Sequence, residues 1–401
     1  MRISTSQAYD ASIETLMKRQ RDMSDSQVKL TSGKRLNQAS DDPAAAARAE
    51  RALATTARVD ASQRGVQASD VLMAQTEGAL ADAGNLLQRA REAMVAAGNA
   101  SYTDAERKTL STELRSIREQ LLTVANRSDG GHGFMFGGQG SQQAPFVDAT
   151  GGVQFRGTPG QATAADGENL PLTVDGNATW LSARTGNGVF ETRVNSATGS
   201  VWVDGGTVSN PSALTGSTYS INFSNSTGAV TYSVLRDGAP TAQTNVPFTP
   251  SPSGTVIEVD GMASRFSGVP ANGDSFELRP STPTLSVFAA LDKAVTDLAT
   301  PRQRPAVVAQ QNVENLNNID AVLSKLVSAR AQVGDTLNRV SNTGERLAAQ
   351  KLQAQSERSN AEDLDMVGAI AEFQNRQSGY DAALKSYSMV QRLSLFNYVN
   401  V

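Results

Sequence analysis

Very few residues of this sequence have side chains that could do catalytic or metal chemistry. The 401 residues contain one histidine, His132, and no cysteine. Without cysteine there is no disulfide, no thiolate metal site and no cysteine nucleophile. One histidine limits a Ser–His–Asp triad to that position and excludes the zinc-protease motif, which needs two. We therefore predict no catalytic residue, no cofactor and no metal ligand, and we do not expect an enzyme.

Two short motifs could be binding sites, but local structure explains both better. The stretch DGGHGFMFGG (residues 129–138) is glycine-rich like a phosphate-binding loop, yet it lacks the Lys-Ser/Thr pair of a P-loop. It predicts a turn or hairpin that joins a helix to a sheet, with His132 as a turn residue. Asp41 and Asp42 could bind a metal, but no third ligand is nearby. Because Pro43 follows, Asp42 is better interpreted as a helix cap.

Composition limits the classes of partner. The formal net charge of −4 is too small to indicate nucleic acid or a membrane surface as the main partner. No apolar run approaches membrane-spanning length. The first twenty residues lack the apolar core and small-residue cleavage site of a secretion signal. The protein is therefore expected to be cytosolic, or exported by a route that does not use such a signal.

Both ends of the chain have apolar residues at alternating steps of four and three, with glutamine at some of these positions. This spacing is typical of a helix that packs along another helix, and a polar residue in such a seam fixes register and partner number. The matching patterns predict that the two ends meet and form an assembly interface with other subunits; two helices of an ordinary bundle remain the alternative. The predicted interface residues are Tyr9, Ile13, Leu16, Met23, Leu30, Met366, Ile370, Phe373, Tyr380, Leu384, Tyr387, Leu393, Leu395 and Phe396.

Between the ends, long helical patterns surround a segment of different character. Large and small residues alternate at heptad spacing from Val66 to Ala97, and a matching pattern runs from Leu316 to Leu347. Residues 145–283 instead show short alternating runs separated by turn signals, such as Tyr219–Phe223 and Val230–Val234. This middle segment predicts an antiparallel β domain.

The order helix, β insert, helix predicts an α+β multidomain protein. We expect an elongated α-helical bundle or coiled-coil rod formed by both chain ends, with an antiparallel β-rich domain inserted. The predicted parts are a terminal helical domain (1–40 with 364–401), a helical rod domain (41–144 with 284–363) and the insert (145–283).

Several motifs resemble a known family. TSGKRLNQASDDP (31–43) with the alanine-rich helix after it resembles the N-terminal signature of bacterial flagellins and their relatives. NRSDGG (126–131), FMFGG (134–138) and LSLFNY (393–398) resemble one branch, the hook-associated junction proteins of the FlgL type, although that branch often has Tyr-Leu at positions 134–135. VPANGDSF (269–276) is similar to a module of hook-associated proteins.

This resemblance implies a structural function. Proteins of this branch form a ring of subunits between the other hook-associated protein (FlgK type) and the flagellin filament. They pass unfolded through the flagellar type III export apparatus, with a cytosolic chaperone on the C-terminal segment. The resemblance thus implies a secreted protein at the hook–filament junction of the extracellular flagellum, with no nucleic-acid or membrane partner.

Three alternative functions fit the residues less well. Flagellin itself, the filament subunit, should end on an aliphatic helix without Phe396 and Tyr398. An exported hydrolase would need a base, and His132 lies outside the strand-rich region. A membrane-inserting type III translocator should have a long apolar hairpin, which this sequence lacks.

Overall fold

The fold is given by a computed structural model, which describes residues 5–131, 133–164, 168–225 and 228–399, and side chains between residues 9 and 389 within those ranges. Long helices at both ends of the chain and antiparallel sheets in the middle confirm the predicted fold class. His132 lies outside the described residues. The helices are α1 (Thr5–Ser32), α2 (Pro43–Ala97), α3 (Asp104–Ala125), α4 (Val287–Ala299), α5 (Pro305–Glu362) and α6 (Met366–Val399).

The helix boundaries follow the predicted signals. Asp42 caps α2, since its carboxylate accepts the N–H groups of Ala44 (3.1 Å) and Ala45 (3.0 Å). Pro43 is the first helical residue of α2. Thr103 and Glu106 form a capping box before α3. The local backbone therefore explains these polar residues, as their sequence positions indicated.

The chain forms two compact units. The first consists of the described residues up to Arg64 together with those from Thr343 onward. In it α1 packs along α6, and α2 packs near the end of α5. The loop after α1 is tied to the C-terminal end of α5: the Arg35 N–H donates to the carbonyl of Glu362 (2.7 Å), and the Leu364 N–H donates to the carbonyl of Gly33 (3.0 Å). Gly33 has a φ of 67°, the left-handed conformation that glycine adopts easily after a helix.

The second unit comprises Gly65–Asn342 and contains two separate hydrophobic cores. One core lies among α2, α3, α4 and α5. Large α2 residues such as Leu80 and Leu87 are fully buried, and Ala83 and Ala90 between them are fully buried too. This alternation of large and small side chains lets the neighbouring helices approach closely, as the heptad pattern predicts.

The other core lies within antiparallel sheets. One sheet has the order β3-β12-β6-β7-β8 with β9 on β7, and a second has β10-β11-β4 with β5 on β11. The pair β1–β2 is separate, and its Phe146 belongs to the helical core. The predicted runs Tyr219–Phe223 and Val230–Val234 lie in the hairpin β6–β7. The strands are β1 (Phe146–Ala149), β2 (Gly152–Phe155), β3 (Phe190–Ser196), β4 (Trp202–Val203), β5 (Thr207–Val208), β6 (Tyr219–Ser224), β7 (Thr231–Arg236), β8 (Ala239–Pro240), β9 (Val246–Pro247), β10 (Thr255–Val259), β11 (Met262–Ser267) and β12 (Ser275–Pro280).

Part of the predicted insert packs into the helical core instead of the sheets. Phe146 and Trp180, both buried, join Phe136 and Phe288 of α4 in one aromatic cluster. The core of the sheets begins only at Phe190. The domain boundaries remain a prediction. These contacts indicate which residues of the insert complete the helical core.

A buried arginine connects three elements of the helical core. Arg118 of α3 is 8% exposed. Its guanidinium donates to Asp292 of α4 (Nε–Oδ1, 2.9 Å) and to Asp148 of β1 (Nη2–Oδ1, 2.9 Å). The hydrogen bonds to Asp148, and then those to Asp292, raise the pKa of Arg118 further above its ordinary value. A buried charge is tolerated here because two carboxylates compensate it.

A deletion can test which residues the helical core requires. The Ser281 N–H donates to the carbonyl of Val189 (2.9 Å), so residues 190–280 can be removed and 189 joined to 281 by a short linker. We expect this variant to keep its helical circular dichroism, because the helices bury their own core. Removal of 150–281 also takes away Trp180 and should lose much of the helical signal. Equal loss of the helical signal in both variants would contradict the assignment of Trp180 to the helical core and of residues 190–280 to a separate core.

Candidate assembly surface

The predicted interface residues lie on two helices that pack against each other. Tyr9 of α1 and Tyr387 of α6 have ring centroids 5.5 Å apart, and their hydroxyl groups are hydrogen-bonded. Further along, the Arg376 guanidinium of α6 donates to the carbonyl of Asp22 on α1 (2.7 Å). The structure therefore brings the two ends of the chain together, as the matching seams indicate.

None of the predicted interface residues whose side chains are described is completely buried. Tyr9 (38%), Met366 (44%), Ile370 (46%) and Leu384 (38%) are exposed. Leu393, Leu395 and Phe396 lie outside the described side chains. The remaining members are half-buried: Ile13, Leu16, Met23, Leu30, Phe373, Tyr380 and Tyr387.

The same helices carry a second line of apolar residues that the seam pattern does not include. Met17 (56% exposed) and Val28 (49%) lie eleven positions apart on α1. At 3.6 residues per turn they project from nearly the same side of the helix, roughly a quarter turn from the seam. Val367 (81%) and Met389 (63%) are the equivalent exposed residues of α6. A search for a second stripe beside the seam could have found them.

A small ionic cluster holds the loop after α1 in place. The Lys34 ammonium lies 3.0 Å from the Glu362 carboxylate, and the Arg35 guanidinium donates to the carbonyl of Ala361 (2.9 Å). The hydrogen bond from Lys34, followed by that from Arg358, lowers the pKa of Glu362 from its ordinary 4.5. The cluster therefore joins the loop after α1 to the C-terminal end of α5.

The stability of this cluster should depend on pH. Because the folded-state pKa of Glu362 is depressed, its contribution is complete above the ordinary value and is lost as pH falls through the folded value. The melting-temperature difference between parent and Glu362→Gln should stay constant from pH 7 to about 5 and shrink toward pH 3. The control is Glu345→Gln, at an exposed α5 position with no ion pair in the described part of the chain. If the difference for Glu362→Gln were independent of pH, the ionised pair would not be what holds the loop.

The structure also accounts for the two motifs that could have been binding sites. Asp42 is engaged in capping α2. The Asp129 carboxylate accepts the N–H groups of Gly131 (2.7 Å) and Gly133 (2.9 Å), which closes the glycine-rich turn. Across the described residues, no group of three or more His, Asp or Glu side chains could hold a metal ion, and no helix is long and apolar enough to cross a membrane.

Comparisons with known proteins agree with this arrangement. The bacterial flagellin N-terminal helical region matches residues 3–141, and the bacterial flagellin C-terminal helical region matches residues 316–399. The flagellar hook-associated protein 3 of Salmonella typhimurium is 25% identical over 99% of both chains. The crystal structure of the flagellar junction protein FlgL from Legionella pneumophila aligns with a TM-score of 0.65 and 28% identity, over 70% of this chain and 94% of its own.

Flagellins match a smaller part of the chain. The flagellin of Listeria monocytogenes is 31% identical, but over only 29% of this chain and 40% of its own. The similarity to the flagellar hook-associated protein 3 therefore includes the β-rich middle of this chain. The match to the Listeria flagellin covers only part of the chain. The chain belongs to the flagellin family, in the branch of the flagellar hook-associated protein 3 (FlgL).

Proposed function

We propose that this chain is a structural subunit of the bacterial flagellum, located at the junction between the hook and the flagellin filament. One observation carries the proposal: similarity over the whole length is to hook-associated proteins, whereas flagellin matches only a part. The related Legionella protein is described as a flagellar junction protein. The chain therefore acts by binding and positioning neighbouring subunits, without catalysis or a cofactor.

The partners of the proposed subunit are of three kinds. Copies of the same chain lie beside it in a ring, a FlgK-type hook-associated protein lies on the hook side, and flagellin lies on the filament side. A ring of identical copies needs two different, complementary surfaces on each copy, because each contact is heterologous. The hook and filament sides bind different proteins and require further distinct surfaces.

The terminal helices supply the proposed assembly surface. Two helices alone bury little apolar area and are marginally stable in water. The exposed Ile370, Leu384 and Val367 would leave water when a neighbouring subunit packs onto α1 and α6. Burying a fully exposed large aliphatic side chain contributes roughly 1.5–3 kcal/mol, and each of these partly covered side chains would contribute a fraction of that. The exposed side chains thus favour association.

The proposal also includes export of the protein as an unfolded chain. The protein is placed outside the cell, delivered by the flagellar type III export apparatus, and its C-terminal helix is held by a cytosolic chaperone before export. The open apolar side chains of α6 suit such a chaperone, which would cover the surface later used in assembly. The absence of cysteine also suits a chain that must stay unfolded, because no disulfide can lock it.

A strain that lacks the protein tests the proposal. Electron microscopy should show hooks without filaments, and flagellin monomers should appear in the medium. The purified protein should then bind to the ends of these hooks and nucleate flagellin. Hooks that still carry filaments would contradict a junction function. A filament made of this chain itself would favour the flagellin alternative.

A further inference from the structure

A cleft in the second unit carries positive charge that the described protein does not compensate. It has a volume of about 450 Å³ and lies between α5 and the loop that precedes β3. Arg184 of the loop and Lys325 of α5 line it, together with the hydroxyl groups of Ser324 and Ser328 and the amide of Asn317. These groups can all donate hydrogen bonds, and such a set suits a carboxylate.

Among the described residues that line the cleft, one is acidic, and it is already paired. Asp320 lies 2.6 Å from the Arg91 guanidinium (Oδ1–Nε), which contacts both carboxylate oxygens. Arg184 and Lys325, by contrast, form no ion pair with any residue that the structure describes. The cleft therefore has two cations available for an external anion.

The loop wall of the cleft is held rigidly. The side-chain oxygen of Asn187 accepts the N–H groups of Val189 (3.0 Å) and Phe190 (2.9 Å). The Asn187 amide also donates to the carbonyl of Gly206 (3.1 Å), which fixes the loop to the segment between β4 and β5. The other wall is the long helix α5. Donors on such a frame need little reordering to bind an anion, and this lowers the cost of binding.

The loop and the helix α5 that line the cleft also carry exposed apolar residues. Val189 is 44% exposed, and Val327, between two residues of the cleft, is 58% exposed. Charged groups beside exposed valines are more typical of a protein interface than of a site for a free small anion.

We propose that this cleft binds an acidic side chain of a second copy of the chain. The inference rests on the proposed function, because neighbouring copies meet in the ring. The chain itself supplies suitable acids outside the cleft: Asp70 and Glu92 of α2 are exposed and have no ion pair within the described ranges. A cationic cleft and separate free carboxylates give each copy two different, complementary surfaces, as the heterologous contact of a closed ring requires.

Zero-length crosslinking with a carbodiimide, which joins lysine to carboxylates in contact with it, tests this directly. Unlabelled and ¹⁵N-labelled full-length protein are mixed, added to hook ends and crosslinked before mass spectrometry. We expect Lys325 to be joined to an acid of a differently labelled copy. Lys293 is an internal control, since its ammonium lies 2.7 Å from Asp297 and 3.1 Å from Glu314 within one chain.

The outcomes separate this inference from the proposed function. If the protein fails to bind hook ends at all, the proposed function fails. If it binds and Lys293 reacts internally, but Lys325 is joined to no second copy, the inference is overturned. A crosslink from Lys325 only to the hook-side protein also overturns it.

Substitutions give an independent measurement. Arg184→Ala with Lys325→Ala should lower hook-end occupancy at limiting protein by roughly fivefold, and the loss should diminish at high salt. Lys325→Arg alone should retain occupancy because it keeps the charge. The matched control is Lys108→Ala with Arg115→Ala, which removes two exposed cations from α3 outside the cleft. Equal loss in the control and the double variant would show that net charge, and not the cleft, is responsible.

Discussion

Replacing Trp180 by alanine is expected to destabilise the protein by about 3–5 kcal/mol. Trp180 is completely buried, stacks on Phe288 at 6.0 Å and meets Phe136 edge-on at 5.3 Å. Its removal leaves a large cavity among residues that α2, α4 and α5 surround. Urea unfolding followed by far-ultraviolet circular dichroism should show a clearly lower midpoint for the helical signal.

Two further variants make the Trp180 experiment decisive. Trp202→Ala removes the other tryptophan, which is half-buried in β4 and outside the helical core, and should cost much less. Trp180→Phe should also cost less than the alanine change, because it keeps a ring and removes an indole N–H that has no acceptor among the described residues. Similar midpoints for Trp180→Ala and Trp202→Ala would mean that the aromatic cluster is not essential to the helices.

A double substitution on α6 should abolish assembly without affecting the free subunit. Ile370 and Leu384 are 46% and 38% exposed in the isolated chain, and a longer glutamine side chain there can keep its amide in water, so the change should cost the free subunit little. In the assembled junction the same side chains are proposed to be buried, and two buried polar side chains there would be strongly unfavourable. We expect an unchanged melting temperature, loss of hook-end binding and non-motile cells.

The control for this variant is Asn375→Gln with Ser386→Gln, on exposed positions of the same helix away from the seam and from the line of Val367 and Met389. It has the same number of new glutamines and should leave assembly intact. If the Ile370 and Leu384 variant melted well below the parent, the seam would already be packed within one chain. It would then be an ordinary bundle contact, as the alternative interpretation of the two seams holds.

The long helices could be predicted because their signals are local and periodic. The heptads of α2 and α5, the cap at Asp42 and the proline that opens α5 each lie within a few residues of what they determine. The position of Trp180 could not be predicted in this way. Its neighbours Phe136 and Phe288 are distant in sequence, and only tertiary packing decides which of the two cores a residue between turns will join.

The interface could be predicted only in part for a related reason. Periodicity identifies the seam along which α1 and α6 pack, as Tyr9 and Tyr387 show. It does not distinguish a side chain that the partner helix covers from one left in water. Exposure is a property of the folded unit, so the structure was needed to show that Met17 and Val367 remain in water. The cationic cleft combines a loop and a helix that are far apart in the chain, and no local pattern indicates it.

The helical core of the second unit has a consequence for the order of folding. Its helices α2 and α5 contact one another through pairs such as Arg91 and Asp320, which are separated by 229 positions. Tyr9 and Tyr387 are separated by 378. Contacts of such sequence separation form late, since the loop-closure entropy must be overcome before they contribute any stability. In the proposed export, a chain that leaves a narrow channel one end first would have no stable helical core until the other end had followed. Its topology would delay folding of the helices until transit was nearly complete.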